Sequence, residues 1–211
     1  MSGTYPVGHR MAVDELARQL GVSTMPVREA LVALASEGLL EVLPRRGFRV
    51  ARIGRQDFED IFQVHSVVAG MLAERAATSI DGAGIQELRE LQARIEALPR
   101  QRISHPERAS RVEELNFEFH RTVNRSTESE RLRWFLRATT RFVPRQFYEA
   151  IPGWMDVTVT EHPAIIDALE RREGPRVREL MSAHVAHAGN LVVSELTRKG
   201  FWDAATADGR G

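Results

Sequence analysis

The sequence predicts a mainly α-helical chain in two parts: a short N-terminal unit of paired helices with a β-ribbon, then a longer antiparallel helical bundle. Three observations carry this. Apolar residues recur at helical spacing over most of the 211 positions. Strand-turn-strand patterning is confined to a single stretch, 39–51. The charge also divides unevenly, with eight arginines against five acids in residues 1–55, a net +3, and a net −3 in the remainder. A small basic segment joined to a larger acidic one is the pattern of a nucleic-acid module with a separate second domain.

In the first part, Val13, Leu16, Ala17 and Leu20 recur at helical spacing, and Gly21 stops the helix. Ser23 or Thr24 can cap the next helix, and Pro26 suits its first turn because its missing N–H is harmless there. Val27, Ala30, Leu31 and Leu34 form its apolar stripe, which ends at Gly38. Residues 39–43 read as a strand, Pro44–Gly47 as a turn, and 48–51 as the return strand. Two helices joined by a short turn and followed by a β-ribbon make a winged helix-turn-helix, expected over residues 1–52.

A linker is expected at 53–57, a bundle over 58–200 and a tail at 201–211. The first bundle helix runs from about Asp57 to Thr78, with Phe58, Ile61, Phe62, Val68, Met71 and Leu72 on one side. Ile85, Leu88, Leu91, Ile95 and Leu98 mark the second, closed by Pro99. Val112, Leu115, Phe119 and Val123 mark the third; Leu132, Phe135, Leu136 and Val143 mark the fourth. Residues 144–157, with two prolines and a glycine, read as an irregular crossing. Ile165, Ile166 and Leu169 mark the fifth helix; Val177, Leu180, Met181, Val185 and Leu191 mark the sixth, after Gly174-Pro175. Six amphipathic helices on short links form an antiparallel bundle.

Composition excludes several classes. With 43% hydrophobic and 27% charged residues, the chain can build a core. It has no cysteine, so disulfide frameworks, thiolate nucleophiles and cysteine-based zinc fingers are out. No apolar run approaches the ~20 residues of a membrane span, and a signal-peptide pattern is absent. A cytoplasmic protein with no membrane partner is expected.

The stretch VDELARQLGVSTMPVREALVALASEGLLEVLPRRGFRVA, Val13–Ala51, closely resembles the DNA-binding domain of GntR-family transcription regulators. It holds LGVS, PVREAL, EGLLE and RRGFRV in the family's order. The resemblance implies a double-stranded DNA operator as partner. A recognition helix offers its N-terminal residues to base edges, so Ser23, Thr24, Met25 and Arg28 are the candidate readers. Arg28 can bond guanine bidentately; Arg45 and Arg46 at the wing tip can reach phosphate or the minor groove, with Gly47 supplying the turn. Two departures stand out. Thr24-Met25 occupies the place of the family's usual Arg-Thr, which implies a different operator. Only five residues precede PVGHRM, so the helix usual upstream of it is expected to be missing or the start to be truncated.

The remainder resembles the FCD ligand-binding domain of the FadR-like branch. Many such domains hold a metal through an Asp or Asn and three histidines. The matching positions here are Asn116 and His120 in NFEFHR, His162 in EHPAIIDAL, and His184 in MSAHV. Asn116 and His120, four apart, share a helix face. His184 lies on the Val177–Met181–Ala188 stripe, while His187 shares its face without a family match. The implied cofactor is a divalent transition metal, zinc or nickel foremost, since neutral imidazoles suit these ions. An amide in place of a carboxylate removes one negative charge. His65 and Ala69 stand where the branch commonly has Arg and Glu, so the effector is expected to depart from its usual simple carboxylates. Arg75, Arg137 and Arg141 are the candidates to replace the lost charge in an effector pocket.

The combined reading is a ligand-responsive DNA-binding regulator, a repressor of a metabolic operon released by a small organic effector, acting as a homodimer. Two other readings compete. A metalloenzyme could use the three histidines, but HExxH is absent, the loops offer no obvious general base beside them, and a basic head would be idle. A DNA-binding scaffold whose bundle only dimerises needs neither metal nor effector.

Overall fold

The structure, a computed structural model, describes residues 5, 7–102, 104–140 and 151–202. The chain divides into two compact units, the first holding residues up to Gly54 and the second Arg55–Phe201.

The first unit contains α1 (Val13–Leu20), α2 (Thr24–Ser36) and a three-stranded antiparallel sheet of β1 (Arg10–Met11), β2 (Leu40–Leu43) and β3 (Gly47–Val50). Gly21 closes α1 in the left-handed region, and the Val22 N–H returns to the Ala17 carbonyl, which caps the helix and starts the turn. Val13, Ala17, Val27, Leu31, Leu40, Phe48 and Val50 form the core. The expected stripes run further than this small core reaches. Leu20, Ala30 and Leu34 are exposed.

Strand β1 has no counterpart in the sequence reading. It lies outside β3, with Met11 opposite Phe48 and Arg10 opposite Arg49. Its presence changes the role of Gly47, which opens β3 at φ 90°. A Cβ there would lie 2.9 Å from the Met11 carbonyl oxygen, so the glycine admits the third strand as well as the turn.

The second unit is built of α3 (Arg55–Ser79), α4 (Gly82–Ala97) with a 3₁₀ turn at Leu98–Arg100, α5 (His105–Arg125), α6 (Glu130–Thr140), α7 (Trp154–Glu170) and α8 (Gly174–Arg198). Among the described residues it contains no strand. Two spans differ from expectation: Arg55–Asp57 of the expected linker and Trp154–Val157 of the expected crossing are helical. Helices α3 and α8 approach closely at Gly70 and Gly189, where a Cβ would meet Ser182 Oγ and the Phe62 ring. Of the expected apolar face of α6, Leu132 and Leu136 are half-buried, Phe135 is exposed, and Val143 lies outside the described residues. Trp134 and Phe135 form an edge-to-face pair, each more than half exposed.

Gly8 and Gly47 separate the two demands on a glycine, because both have positive φ but only Gly47 faces a backbone oxygen. Gly8→Ala should cost about 1–2 kcal/mol, the strain of the left-handed region. Gly47→Ala should cost more, because β1 must also shift. Equal losses in urea denaturation would show that β1 does not press on Gly47.

Candidate functional site

Helix α5 brings Asn116 and His120 to one inward face, α7 brings His162, and α8 brings His184. The ligand-type nitrogens of the three histidines lie within 4.8 Å of one another. Asn116, His162 and His184 are buried, and His120 is half-buried.

The hydrogen bonds around the cluster fix where its protons sit. Gln92 on α4 donates from Nε2 to Glu96 Oε1 at 2.8 Å and to the Val159 carbonyl at 3.2 Å. Its Oε1 is then the atom 3.1 Å from His162 Nδ1, so His162 donates from Nδ1 and its Nε2 carries a bare lone pair. The Val159 carbonyl is available because Pro163, four residues on and inside α7, has no N–H to give it. The proline next to His162 thus creates the acceptor that orients Gln92. A parallel ring of Phe119, its centroid 3.7 Å away, fixes the His162 plane.

His184 is held in the same sense. Its Nδ1 lies 2.9 Å from Glu161 Oε2, which leaves Nε2 facing His120 Nε2 at 3.3 Å. The other oxygen of Glu161 lies 2.6 Å from Nδ1 of the exposed His187, so His187 touches the outer carboxylate and not the cluster. Burial opposes ionisation of Glu161, but the bonds from His184 and His187 outweigh it and hold its carboxyl below the usual range.

Asn116 Oδ1 and His162 Nε2 are buried with no hydrogen-bond partner among the described residues. Unpartnered buried acceptors cost a few kcal/mol each unless something meets them. Burial, and then the charges of neighbouring histidines, drive the His120 and His162 pKa values well below 6.5, so both are neutral near pH 7. A buried set of neutral nitrogen and amide oxygen acceptors suits a divalent transition metal better than a hard, oxygen-seeking cation.

His65 on α3 stands close enough to His120 to oppose its protonation, and burial lowers its own pKa to about 4. Thr139 Oγ1 gives its proton to the Leu136 carbonyl, so in the 2.6 Å contact His65 Nδ1 is the donor. Two of the expected cationic replacements, Arg75 and Arg137, are exposed. Arg75 is exposed and donates to Ser129, ten residues along α3 and on another face from His65. Arg137 is exposed on α6, and Arg141 lies outside the described residues.

In the first unit, Ser23, Thr24, Met25 and Arg28 are all exposed over the first turns of α2. Arg45 and Arg46 project from the β2–β3 turn, which the Arg46 N–H closes onto the Leu43 carbonyl. Arg45 holds a positive φ of 60°, uncommon for a non-glycine residue and located where its side chain is displayed. Other arginines of this unit are committed to structure: Arg49 pairs with Glu41 across the sheet, and Arg10 donates to the Arg46 carbonyl.

A recognition helix and basic wing exposed together, on a chain that also carries a bundle with a buried ligand-type cluster, define a DNA-binding regulator with an appended sensor domain. Residues 1–50 match the bacterial regulatory proteins of the gntR family, and residues 60–187 match the FCD domain. The chain belongs to the GntR family, in the branch that carries an FCD domain. It is 26% identical over 190 residues to the HTH-type transcriptional repressor RspR of Escherichia coli, covering 88% of this chain and 80% of that protein. An uncharacterized HTH-type regulator of Agrobacterium vitis, from the TAR-I ttuE-ttuC' intergenic region, is 37% identical over 76 residues; the match spans 36% of this chain and 44% of that protein. The solved structure of E. coli McbR/YncC shares the fold, with a TM-score of 0.67 and 22% identity over 92% of this chain and 91% of that one. The family and these relatives are transcriptional regulators, not enzymes. FCD domains often bind metal ions, and the histidine triad stands in this one. No described helix is long and apolar enough to cross a membrane.

Sequence reasoning missed Gln92, Glu161 and Pro163. Gln92 was detectable as the polar residue between Leu88 and Ile95 on a buried face, and Pro163 as a proline inside a helical run.

His65, His120 and His162 set an acid limit on the metal-free protein. The unfolded chain protonates them near ~6.5, whereas the folded chain resists until lower pH, about 4 for His65. The unfolded state therefore takes up more protons below about 6.5, and stability falls as pH falls, by about 1.4 kcal/mol per pH unit for each such histidine. His65→Gln should flatten this limb by about one proton between pH 6 and 5 in chelator-treated protein. Parallel urea-midpoint profiles for parent and variant would contradict it.

Proposed function

We propose that this regulator is a homodimeric repressor of a metabolic operon whose bundle holds a divalent transition metal, zinc or nickel foremost, and releases DNA when a small anionic effector binds there. The observation that carries it is the pair of orphaned acceptors, Asn116 Oδ1 and His162 Nε2, buried in the bundle that holds the His120–His162–His184 cluster. Asn116, His120, His162 and His184 would hold the metal, which when bound supplies a Lewis-acidic position for the effector. These four ligands are all neutral, so the ion keeps its positive charge and favours a carboxylate. His65, with its proton committed to Thr139, presents an acceptor and favours a hydroxyl or amine on the same molecule.

Two further features support the assembly. Val64 and Val67 on α3 and Trp134 and Phe135 on α6 are exposed apolar residues on helices that pack together, a surface suited to a second copy. Two-fold symmetry then calls for a palindromic operator. In it Ser23, Thr24, Met25 and Arg28 read bases, while Arg45, Arg46 and the Gly47 turn grip the backbone or minor groove.

Two measurements test the reading. Untagged protein should carry about one equivalent of transition metal by elemental analysis, and His162→Ala should lose it. A content below about a tenth of an equivalent, unchanged by His162→Ala, would leave the histidines as core packing. On DNA, Arg28→Ala should cost about 1–3 kcal/mol and relax base preference, whereas Arg46→Ala should weaken all sequences alike and reduce the salt slope by about one. Unaltered operator binding by Arg28→Ala would remove it from the reading surface.

A further inference from the structure

The metal reading leaves a charge unaccounted for. Three neutral imidazoles and an amide surround a divalent ion with no anion among them, and a dipositive charge in a bundle interior is costly. One carboxylate touches the cluster directly: Glu161, one residue before His162, in contact with His184. It is the anion that the cluster otherwise lacks. We infer that Glu161 is the positioning residue of this centre: through the His184 Nδ1 proton it aims Nε2 at the ion and supplies the negative charge that an aspartate at position 116 would have given.

The geometry favours this over a surface ion pair. The His184 side chain is only 2% exposed, so its bond to Glu161 is a buried end of an otherwise half-buried carboxylate. The two oxygens divide between the two histidines, Oε2 to buried His184 and Oε1 to exposed His187. A carboxylate on the far nitrogen of a ligating imidazole raises its basicity and fixes its tautomer. Gln92 does the same for His162 with a neutral amide, which orients without adding charge. The two outer partners are therefore unequal: Gln92 sets direction, and Glu161 sets direction and charge. His187 donates to the same carboxylate from outside and draws on its charge without reaching the cluster.

This inference rests on the metal reading, and its test keeps the two apart. Zn²⁺ affinity is measured on the full chain by chelator competition, and the His184 tautomer in the metal-free protein by nitrogen NMR. Glu161→Gln keeps an acceptor for His184 but no charge; it should leave Nδ1 protonated and weaken Zn²⁺ roughly tenfold. Glu161→Ala should lose the tautomer preference as well and weaken Zn²⁺ by roughly a hundredfold. Glu161→Asp should recover part of the loss, and His187→Asn should stay within about threefold of the parent. If Glu161→Gln and Glu161→Ala bind Zn²⁺ like the parent while His184→Ala does not, the centre stands and the role of Glu161 is overturned. If the parent itself takes up no Zn²⁺, both readings fall.

Discussion

Bare lone pairs gathered at one point inside a helical bundle are the constraint around which the second unit is arranged. Asn116 Oδ1 and His162 Nε2 lie buried without partners. A folded chain accepts such a cost of a few kcal/mol per group only when surrounding packing over-determines it. Here the packing is supplied by Phe119, Leu72, Leu88, Ile165, Met181 and other residues with almost no exposure. Their tight fit holds the imidazoles where solvent cannot satisfy them. Every outer partner then works in one direction, taking the Nδ1 proton so that the opposite nitrogen stays bare.

The division of arginines in the first unit follows a similar economy. The wing needs a stable three-stranded sheet and also needs free cations at its tip. Arg49 and Arg10 serve the first need, through Glu41 and the Arg46 carbonyl. Arg45 and Arg46 are exposed at the tip and would serve the second in the proposed reading, with Arg45 at a positive φ. A positive charge neutralised within the protein contributes little to phosphate binding, because it releases no counterions from DNA. Only the uncommitted arginines count toward the nucleic-acid interface.

The legible parts of the chain were those whose cause is local. Helices α1, α2, α4, α5 and α8 follow from spacing and stop signals, and the β2–β3 hairpin from Pro44 and Gly47. Strand β1 was invisible because two residues show no periodicity; it exists only because β3 offers an edge. The α6 stripe misled for the opposite reason, since its pattern is amphipathic but packing on α3 leaves Leu132 and Leu136 only half-buried and Phe135 exposed. The histidine positions were readable through the family resemblance. Their outer partners were not: Gln92 lies seventy residues before His162 and Glu161 twenty-three before His184, so only folding brings each pair together.

Helix α3 gives the two units a covalent link with mechanical content. It begins at Arg55, the first residue of the second unit, and ten residues on it carries His65 beside the cluster. Its packing on α8 is close enough at Gly70 and Gly189 that a Cβ at either would collide with Ser182 Oγ or the Phe62 ring. A tightly packed helix pair responds to a ligand by changing between discrete arrangements rather than by deforming smoothly. In the proposed reading, an effector acting at His65 would bias α3 only through a difference in its affinity for two such arrangements. Moving a population from 1:99 to 99:1 takes a difference of about 5.5 kcal/mol, more than one neutral hydrogen bond to His65 supplies. In the proposed reading, an effector carboxylate on a metal held by the histidines would provide the second contribution, so the charge left on the ion would matter to the switch as well as to the site.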